Sequence, residues 1–520
     1  MEDSDRVICE DEDEDENEDE KISYDTLTDE QKNAFNRIKN GDNILIMGQG
    51  GSGKSYLINA IRDEKTLCLA PTGMAALNMN DEARTIHSIL QIGEKSLLAW
   101  NWRKVKDYIE NKKSSLKRFF DQYDLIVIDE GSMIISGLFT TLINTFHLIY
   151  ETDSSILFNG KQIIFLMDPL QLPCIKPSSL IDDTHYISDL EESNYIINNS
   201  GFKELFNKRL ENIIHFKSNK RCEDEEWNDV LSACRTGFKE CSPEEKDQKL
   251  RILNQKRVYE LDCIDVNGGS PTYPEDNDND LIKRYNENIK TTLRNIKVQE
   301  INNKGIKKLE EKRQAYTTKR KVLVSKADFI KKNKGVMKRP GKIYNKAVND
   351  MDGLGSYYAF KINNKFQLNF KVIKGERVML RTNSVHPKLK NGSLGFVKDI
   401  IMNDEEIINI IVDFDNLDGL ISIEETTFKH AEISDITVDA FPLIPAFAIT
   451  IHKLQGQTIK NPLFINYNDI PWKEKQYHLL YTAISRCKEP DHVHIISDNM
   501  ITEDHFPVDP VMYQWYCDNK

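Results

Sequence analysis

The sequence predicts an α/β fold built on parallel sheet and divided into more than one domain, on three observations. A glycine-rich run, GQGGSGKS (Gly48–Ser55), follows directly on the short apolar stretch NILIM (Asn43–Met47). Three further short apolar runs, Thr66–Ala70, Leu125–Ile128 and Ile163–Met167, each end in a polar turn. That is the pattern of buried parallel strands whose carboxyl ends carry ligands. Finally, a chain of 520 residues exceeds what one hydrophobic core fills, so two to four domains are expected.

The chain opens on an acidic segment. Residues 1–20 hold 13 acidic side chains and a single base, Arg6. Such a run repels itself and builds no core, so residues 1–23 are expected to be a disordered acidic tail. It would serve either as a solubilising segment or as a contact for a basic partner or groove. The formal net charge of -13 is almost all in this tail, which leaves the other 500 residues near neutral. Overall acidity therefore does not argue against a nucleic-acid partner. Hydrophobic content of 39%, with 22 Phe, 19 Tyr and 5 Trp, provides for filled cores. The sequence shows no apolar run of membrane-spanning length and no basic-then-apolar leader, so no membrane association and an intracellular location are expected. The nine dispersed cysteines form no Cys-x-x-Cys pair, which fits a reducing compartment.

Order is expected from LTDEQ (Leu27–Gln31) onward. Thr28 is placed to cap a helix with Gln31 three residues on, and Ala34, Phe35 and Ile38 continue its apolar face. The glycine run then has the composition of a phosphate loop. Gly48, Gly50, Gly51, Ser52 and Gly53 let backbone N–H groups close on an anion. Lys54 adds a point charge for the outer phosphates, and Ser55 offers a hydroxyl to Mg²⁺. The run DLIVIDE (Asp124–Glu130) sharpens this reading. Its buried strand delivers Asp129 to the magnesium shell and places Glu130 to orient or deprotonate an attacking water. Gln31 has either the capping role or that of reading an adenine edge, which would favour ATP.

Between 245 and 340 the pattern is less regular, and YPEDNDND (Tyr273–Asp280) is no core segment. Strand character returns at Gly375–Leu380. From Gly395 to about Lys429, β-rich stretches alternate with turns and suggest a small barrel-like insertion, and Ala446–Ile451 restores the buried-strand pattern.

The order of motifs resembles that of the 5′-to-3′ branch of superfamily 1 DNA helicases, the PIF-type and RecD-like enzymes. LTDEQ is similar to their glutamine motif and GQGGSGKS to motif I. APTGMAA (Ala70–Ala76), with TIHS (Thr85–Ser88), resembles motif Ia, VIDEGSM (Val127–Met133) motif II, and DPLQLP (Asp168–Pro173) motif III. FAITIHKLQGQTI (Phe447–Ile459) resembles motif V and YTAISRCK (Tyr481–Lys488) motif VI. The resemblance spans residues 27 to 488.

It implies two RecA-like lobes with parallel sheets, a pin insertion, a barrel-like insertion, and ATP hydrolysis coupled to 5′-to-3′ movement on single-stranded DNA with unwinding of tailed duplex, by a monomer. Gln171 would sense the γ-phosphate, and Arg486 would reach it as an arginine finger. Arg221, in SNKRCEDEEW (Ser218–Trp227), is the best match to the motif IV arginine, although the aromatic and glutamine of that motif are absent. Arg235 reads as structural. Pro71, Thr72, Gly73, Thr85 and His87 would grip backbone phosphates, with capping or packing as the alternative for His87. In motif V, Gln455 and Gly456 would face nucleotide, and Thr450, His452 and Lys453 DNA.

Trp100, Trp102, Phe119 and Phe120 are either stacking residues of the pin or core. RNIKVQEINN (Arg294–Asn303) weakly resembles a segment near the family's adenine pocket. Gly131 and Met167 stand where the family has an apolar residue and a glycine. The expected division is a first lobe over 24–200 with its pin at about 89–120, and a second over 201–394 and 441–520. The second carries a charged insertion at about 241–293 and the β-rich insertion at 395–440. An RNA-directed or dual-substrate enzyme and a non-unwinding nucleic-acid clamp are the alternatives to a DNA helicase.

Overall fold

The computed structural model describes residues 22–79, 82–90, 102–173, 194–207, 210–217, 219–259, 288–292, 295–319, 321–322, 325–333, 340–342, 345, 369–383, 385–386, 388–404, 406–429, 437–468 and 477–520. In it the short apolar runs form two separate parallel sheets.

The first holds β1 (Ile44–Gly48), β2 (Thr66–Ala70), β3 (Arg84–Thr85), β4 (Leu125–Ile128), β5 (Gln162–Met167) and β6 (Ile213–Phe216), in the order β3-β2-β4-β5-β1-β6. Every pairing is parallel. β1, β4 and β5 are buried almost throughout, because helices cover both faces of such a sheet. These are α1 (Asp29–Lys39), α2 (Lys54–Ile61), α3 (Gly73–Met79), α4 (Ile86–Leu90), α5 (Trp102–Phe120) and α6 (Ser136–Tyr150). α1 starts on the expected capping box between Thr28 and Gln31. Because β5 lies between β1 and β4, the turns after all three open within about 10 Å of one another at one sheet edge.

The second sheet holds β7 (Arg257–Val258), β8 (Ile289–Thr292), β19 (Ala448–Thr450), β20 (Leu463–Asn466) and β21 (Val493–Ile496), ordered β19-β8-β20-β21-β7 and again parallel. Packed with it are α7 (Glu225–Arg235), α8 (Pro243–Gln255), α9 (Asn295–Glu310), α10 (Ile451–Leu454) and α11 (Leu479–Ile484), whereas α12 (Pro510–Asn519) packs Val511, Met512 and Trp515 on the core of the first lobe. A core of Trp227, Leu231, Ile451, Leu480, Tyr481 and Ile495 fills this lobe.

Between β8 and β19 stands an antiparallel unit. β12 (Arg377–Leu380), β13 (Leu394–Asn403), β14 (Glu406–Phe414), β15 (Leu420–Ile423) and β18 (Leu443–Pro445) pair in the order β15-β14-β13-β12-β18. They have an apolar core of their own, with Val378, Leu389, Val412 and Phe414. Two smaller antiparallel groups flank it: β9 (Ala315–Lys319) with β11 (Asn369–Ile373), and β10 (Lys321–Val322) with β16 (Thr426–Lys429) and β17 (Thr437–Ala440).

Three expected boundaries move. The first lobe does not end at 200, because β6 completes its sheet beside β1. The β-rich insertion does not begin at 395, because β12 pairs with β13 and β18 and the latter extends it to 445. The charged insertion at 241–293 also shrinks, since α8, β7 and β8 at its two ends are part of the second lobe. What remains of it, 260–287, lies outside the described residues, as do residues 1–21 of the acidic tail. Among the described residues no helix is long and apolar enough to cross a membrane.

Candidate active site

The glycine run turns from β1 into α2 through Gly51 (φ 87°) and Gly53 (φ 84°), both left-handed, a conformation in which a Cβ meets backbone. Its tightness has a second cause, in side chains from elsewhere. A methyl group on Gly50 would lie 2.8 Å from Arg221 Nη1, 3.2 Å from Arg486 Nη2 and 3.3 Å from Gln171 Nε2. One on Gly51 would lie 2.4 Å from Asn219 Oδ1 and 2.5 Å from Arg221 Cβ. The turn after β5 and two segments beyond the first sheet therefore converge on the phosphate loop. A cleft of roughly 390 Å³ results, lined by Gly50–Ser55, Asp129, Glu130, Gln171, Arg221, Gly456 and Arg486. Asp168, Lys220, Thr458 and Lys488 complete its polar lining.

Lys54 lies in this cleft with its ammonium on the loop itself, donating to Gly48 O (2.6 Å) and Gln49 O (3.0 Å). Burial lowers its pKa, against the pull of Asp168, Asp129 and Glu130. Asp129 accepts the Glu130 N–H on Oδ1 at 2.7 Å. Burial first, then Glu130, pushes its carboxyl up to about 7, with Lys54 pulling the other way. A carboxylate held this far up is short of positive charge, which a divalent cation supplies. Ser55 and Asp129, both lining the cleft, are the hydroxyl and carboxylate donors such a cation takes. Glu130 sits at φ 48°, a left-handed conformation that costs a non-glycine residue about 1–3 kcal/mol. The next position explains why a glycine interrupts this motif. A methyl group on Gly131 would fall 1.9 Å from Phe165 Cε1, so the turn carrying both carboxylates is pressed against β5.

From the far side, Lys220 N donates to Gly51 O (2.6 Å) and Arg221 Nη1 to Ser485 O (2.7 Å). Arg486 is 1% exposed and donates from Nε to Thr482 O (3.1 Å) and from Nη2 to Ser485 Oγ (3.3 Å). Burial, then the neighbouring Arg486, brings Arg221 down to about 10. A buried and a half-buried guanidinium beside a phosphate loop make a receptor for a polyanion. Arg221 thus lies beside the phosphate loop, although its segment lacks the aromatic and the glutamine expected of the motif.

Of the two alternatives for Gln31, the capping one is seen in the fold. Its Oε1 accepts the Thr28 N–H (2.9 Å) as a cap, and its Nε2 donates to Gly53 O (3.1 Å) in the phosphate loop. Of the motif V residues, Gly456 (φ 79°) lines the cleft and packs on Ala75, whose Cα lies 3.3 Å from where a Cβ would be. Gln455 is buried but does not line the cleft, and neither of its amide atoms has a hydrogen-bond partner among the described residues.

Pro71, Thr72 and Gly73 follow β2. Thr72 Oγ1 accepts the Ala75 N–H (3.2 Å), and Gly73 lies against the 383–391 turn of the antiparallel unit, 3.5 Å from Asn391 O by the same measure. Thr85 Oγ1 caps α4 through Ser88 N (3.1 Å), and His87 is half-buried in that helix. Thr450 ends β19 and leads into α10, which bears His452 and Lys453. Burial pushes His452 down to about 4. Burial, then Arg381, lowers Lys453 to about 8. β19 is braced by Asn302, whose Nδ2 donates to Pro445 O (3.1 Å) and Ala448 O (3.2 Å) while Oδ1 accepts the Ala448 N–H (2.8 Å). The Arg294–Asn303 segment thus supports motif V through Asn302.

The aromatic pair Phe119 and Phe120 is core. Phe120 is buried 4.5 Å from Phe146, and Phe119 lies 5.4 Å from Tyr123. Trp100 lies outside the described residues, and Trp102 begins α5.

Asp168, Lys220 and Lys488 line the cleft without having been assigned a role from the sequence. Each lies inside a motif that the sequence named, and its charge within that motif is the signal that would have found it.

Residues 26–243 match the family model of the PIF1-like helicases. The chain is 26% identical over 483 residues to the ATP-dependent DNA helicase Pif1 of Campylobacter jejuni, covering 88% of this chain and 90% of that one. It is 24% identical to the Bdellovibrio bacteriovorus Pif1, over 94% and 91% of the two chains. Among solved structures it resembles Pif1 helicase from Candida albicans (TM-score 0.65, 19% identity, 95% and 99% coverage). It also resembles a Bacteroides Pif1 bound to single-stranded DNA (TM-score 0.60, 21% identity, 95% and 96% coverage).

Proposed function

We propose that the chain is a PIF1-like helicase, an ATP-dependent DNA helicase that moves 5′ to 3′ on single-stranded DNA and separates the duplex ahead, a reading supported by the family match over residues 26–243. The observation that carries this reading is the convergence on Gly50 of Gln171, Arg221 and Arg486 from segments on both sides of the cleft. A triphosphate seated on the loop is then gripped from two lobes, and its hydrolysis loosens one grip. The Campylobacter and Bdellovibrio relatives are named as ATP-dependent DNA helicases, and the Bacteroides relative holds single-stranded DNA.

In this reading Gly48–Gly53 and Lys54 seat the phosphates. Glu130 orients the water and takes its proton, and Gln171, Arg221 and Arg486 stabilise the charge that develops on the transferred group. Ser55 and Asp129 hold Mg²⁺, which when bound neutralises the outer phosphate oxygens. Gln31 ties the adenine side of the site to Gly53. The two parallel-sheet lobes are RecA-like, and the antiparallel unit from β12 to β18 is the small barrel-like domain. Pro71, Thr72, Gly73, Thr85, His87, Thr450, His452 and Lys453 follow strands or begin helices in the two lobes, where they grip successive phosphates of one strand. The enzyme works as a monomer.

Unwinding of matched 5′-tailed and 3′-tailed duplexes, with DNA or RNA as the loading strand, tests this directly. The 5′-tailed DNA substrate should be opened with ATP and Mg²⁺, and Lys54→Ala should abolish both the opening and DNA-stimulated ATP turnover. Preference for the 3′ tail overturns the polarity, preference for RNA overturns the substrate, and wild-type turnover in Lys54→Ala removes the ATPase assignment.

A further inference from the structure

Asp168 follows β5 with its side chain 1% exposed, and donors from both lobes address it. From its own turn, Leu170 N donates to Oδ1 and Gln171 Nε2 to Oδ2, each at 3.2 Å. From the second lobe, Arg235 at the end of α7 donates to Oδ1 through Nε (3.0 Å) and Nη2 (2.7 Å), and the Tyr481 hydroxyl of α11 donates to Oδ2 at 3.2 Å. Burial on its own raises this carboxyl, but Arg235 outweighs it and the group stays below the usual carboxylate range. The other side of the Arg235 guanidinium is fixed by the Tyr516 ring of α12, 4.7 Å away.

Neither Arg235 nor Tyr481 lines the nucleotide cleft, whereas Gln171 does. The Gln171 amide has Nε2 on Asp168 and beside Gly50, and its buried Oε1 has no hydrogen-bond partner among the described residues. Tyr481 lies in the helix whose Thr482 carbonyl accepts Arg486 Nε. One carboxylate thus joins the Gln171 amide to the helix that aims the Arg486 guanidinium. A buried ion pair is a weak source of net stability, because desolvation offsets most of its attraction. What such a pair does supply is a fixed geometry, and this one spans the joint between lobes.

We propose that Arg235 and Tyr481 are positioning residues that, by holding Asp168 from the second lobe, couple the Gln171 amide at the phosphate loop to Arg486, so that lobe closure and the seating of both groups are one movement. This rests on the helicase reading above. Loss of the coupling would leave ATP binding nearly intact while slowing the closed-state chemistry that DNA stimulates.

The test compares wild type with Tyr481→Phe, Arg235→Lys, Asp168→Asn and the neutral pair Arg235→Gln/Asp168→Asn, measuring melting temperature, ATP KM, and kcat with and without single-stranded DNA. Tyr481→Phe keeps the ring in its core and removes only the donor. It should lower DNA-stimulated kcat about fivefold, with ATP KM within about twofold and melting unchanged. Arg235→Lys keeps the charge but loses the two-pronged contact, and should lower it about tenfold. The neutral pair should melt above Asp168→Asn alone, which strands a buried cation, yet not regain the stimulated rate. Wild-type kcat in Tyr481→Phe, or losses of kcat that track melting temperature across the set, overturns the coupling. Wild-type protein that DNA does not stimulate overturns the helicase reading itself, a result distinguishable from the others before any variant is made.

Discussion

Replacing Asp129 by Asn should make the metal-free, nucleotide-free protein more stable at alkaline pH while abolishing its turnover. The Asp129 carboxyl is held at about 7, against an ordinary 3.8, by burial and by Glu130 beside it. Between those two values the folded form keeps a proton that the unfolded form has released. Wild-type stability therefore falls as pH rises through this window, and the full penalty is present above pH 7. A shift of this size corresponds to about 4 kcal/mol at about 1.4 kcal/mol per pH unit, less than half of it in force at pH 5. Asn carries no charge, and its Oδ1 still accepts the Glu130 N–H that Asp129 accepts at 2.7 Å.

The stability gain of Asp129→Asn over wild type should therefore grow by about 3 kcal/mol between pH 5 and pH 8. Urea unfolding in chelator at pH 5, 6.5 and 8 measures it. Added Mg²⁺ should raise wild-type stability most at pH 8, where proton and metal no longer compete, and leave Asp129→Asn unmoved. Parallel pH profiles for the two proteins would refute the reasoning, because Asp129 would then carry no electrostatic penalty for a cation to relieve.

Two further outcomes follow from the same geometry. Gly131→Ala drives a methyl group to within 1.9 Å of Phe165 Cε1, in a ring cluster where Phe139 and Phe202 leave no room to retreat. It should cost about 1–3 kcal/mol and slow ATP turnover by moving Glu130, and a melting temperature equal to wild type would contradict the packing. Lys453, lowered to about 8 by burial and then Arg381, is charged at pH 7 and largely neutral at pH 9. The salt dependence of single-stranded DNA binding should therefore weaken by about one ion between those values. The change should vanish in Lys453→Met, and an unaltered change in that variant would remove Lys453 from the DNA contact.

The parts of the site legible in the sequence are those whose chemistry is local. Gly51 and Gly53 are dictated by the loop's own left-handed turns. Asp129 and Glu130 follow a strand whose apolar run announces it, and the cap from Thr28 to Gln31 spans three residues. What the sequence left open was decided between distant segments. β6 and β7 are four and two residues long, and only their register beside β1 and β21 makes them sheet. Arg235 ends an amphipathic helix, where an arginine ordinarily faces water. Its role follows from Asp168, 67 residues earlier, and no spacing rule connects the two. Phe119 and Phe120 had the composition of a stacking platform, but the packing of α5 on α6 turned them inward. Gly131 looked like a departure from the motif, and the nearness of Phe165 explains it.

The charges of the cleft explain why closing on a nucleotide should be strongly favoured yet reversible. Of its three acidic residues, Asp168 is already neutralised by Arg235, which leaves Asp129 and Glu130 to share Lys54. Opposite them, Arg221 and Arg486 donate to carbonyls and a hydroxyl, and among the described residues neither forms an ion pair. The site is therefore too acidic on one side and too basic on the other, and each side is costly while buried. A magnesium triphosphate offers a cation to the first and an anion to the second, so its binding relieves both at once. Cleavage splits that anion in two, and the arginines lose their hold when phosphate leaves. Because those arginines come from the second-lobe side while the phosphate loop belongs to the first, the same electrostatic relief that favours closure would be withdrawn across the joint between the lobes, as the proposed helicase cycle requires.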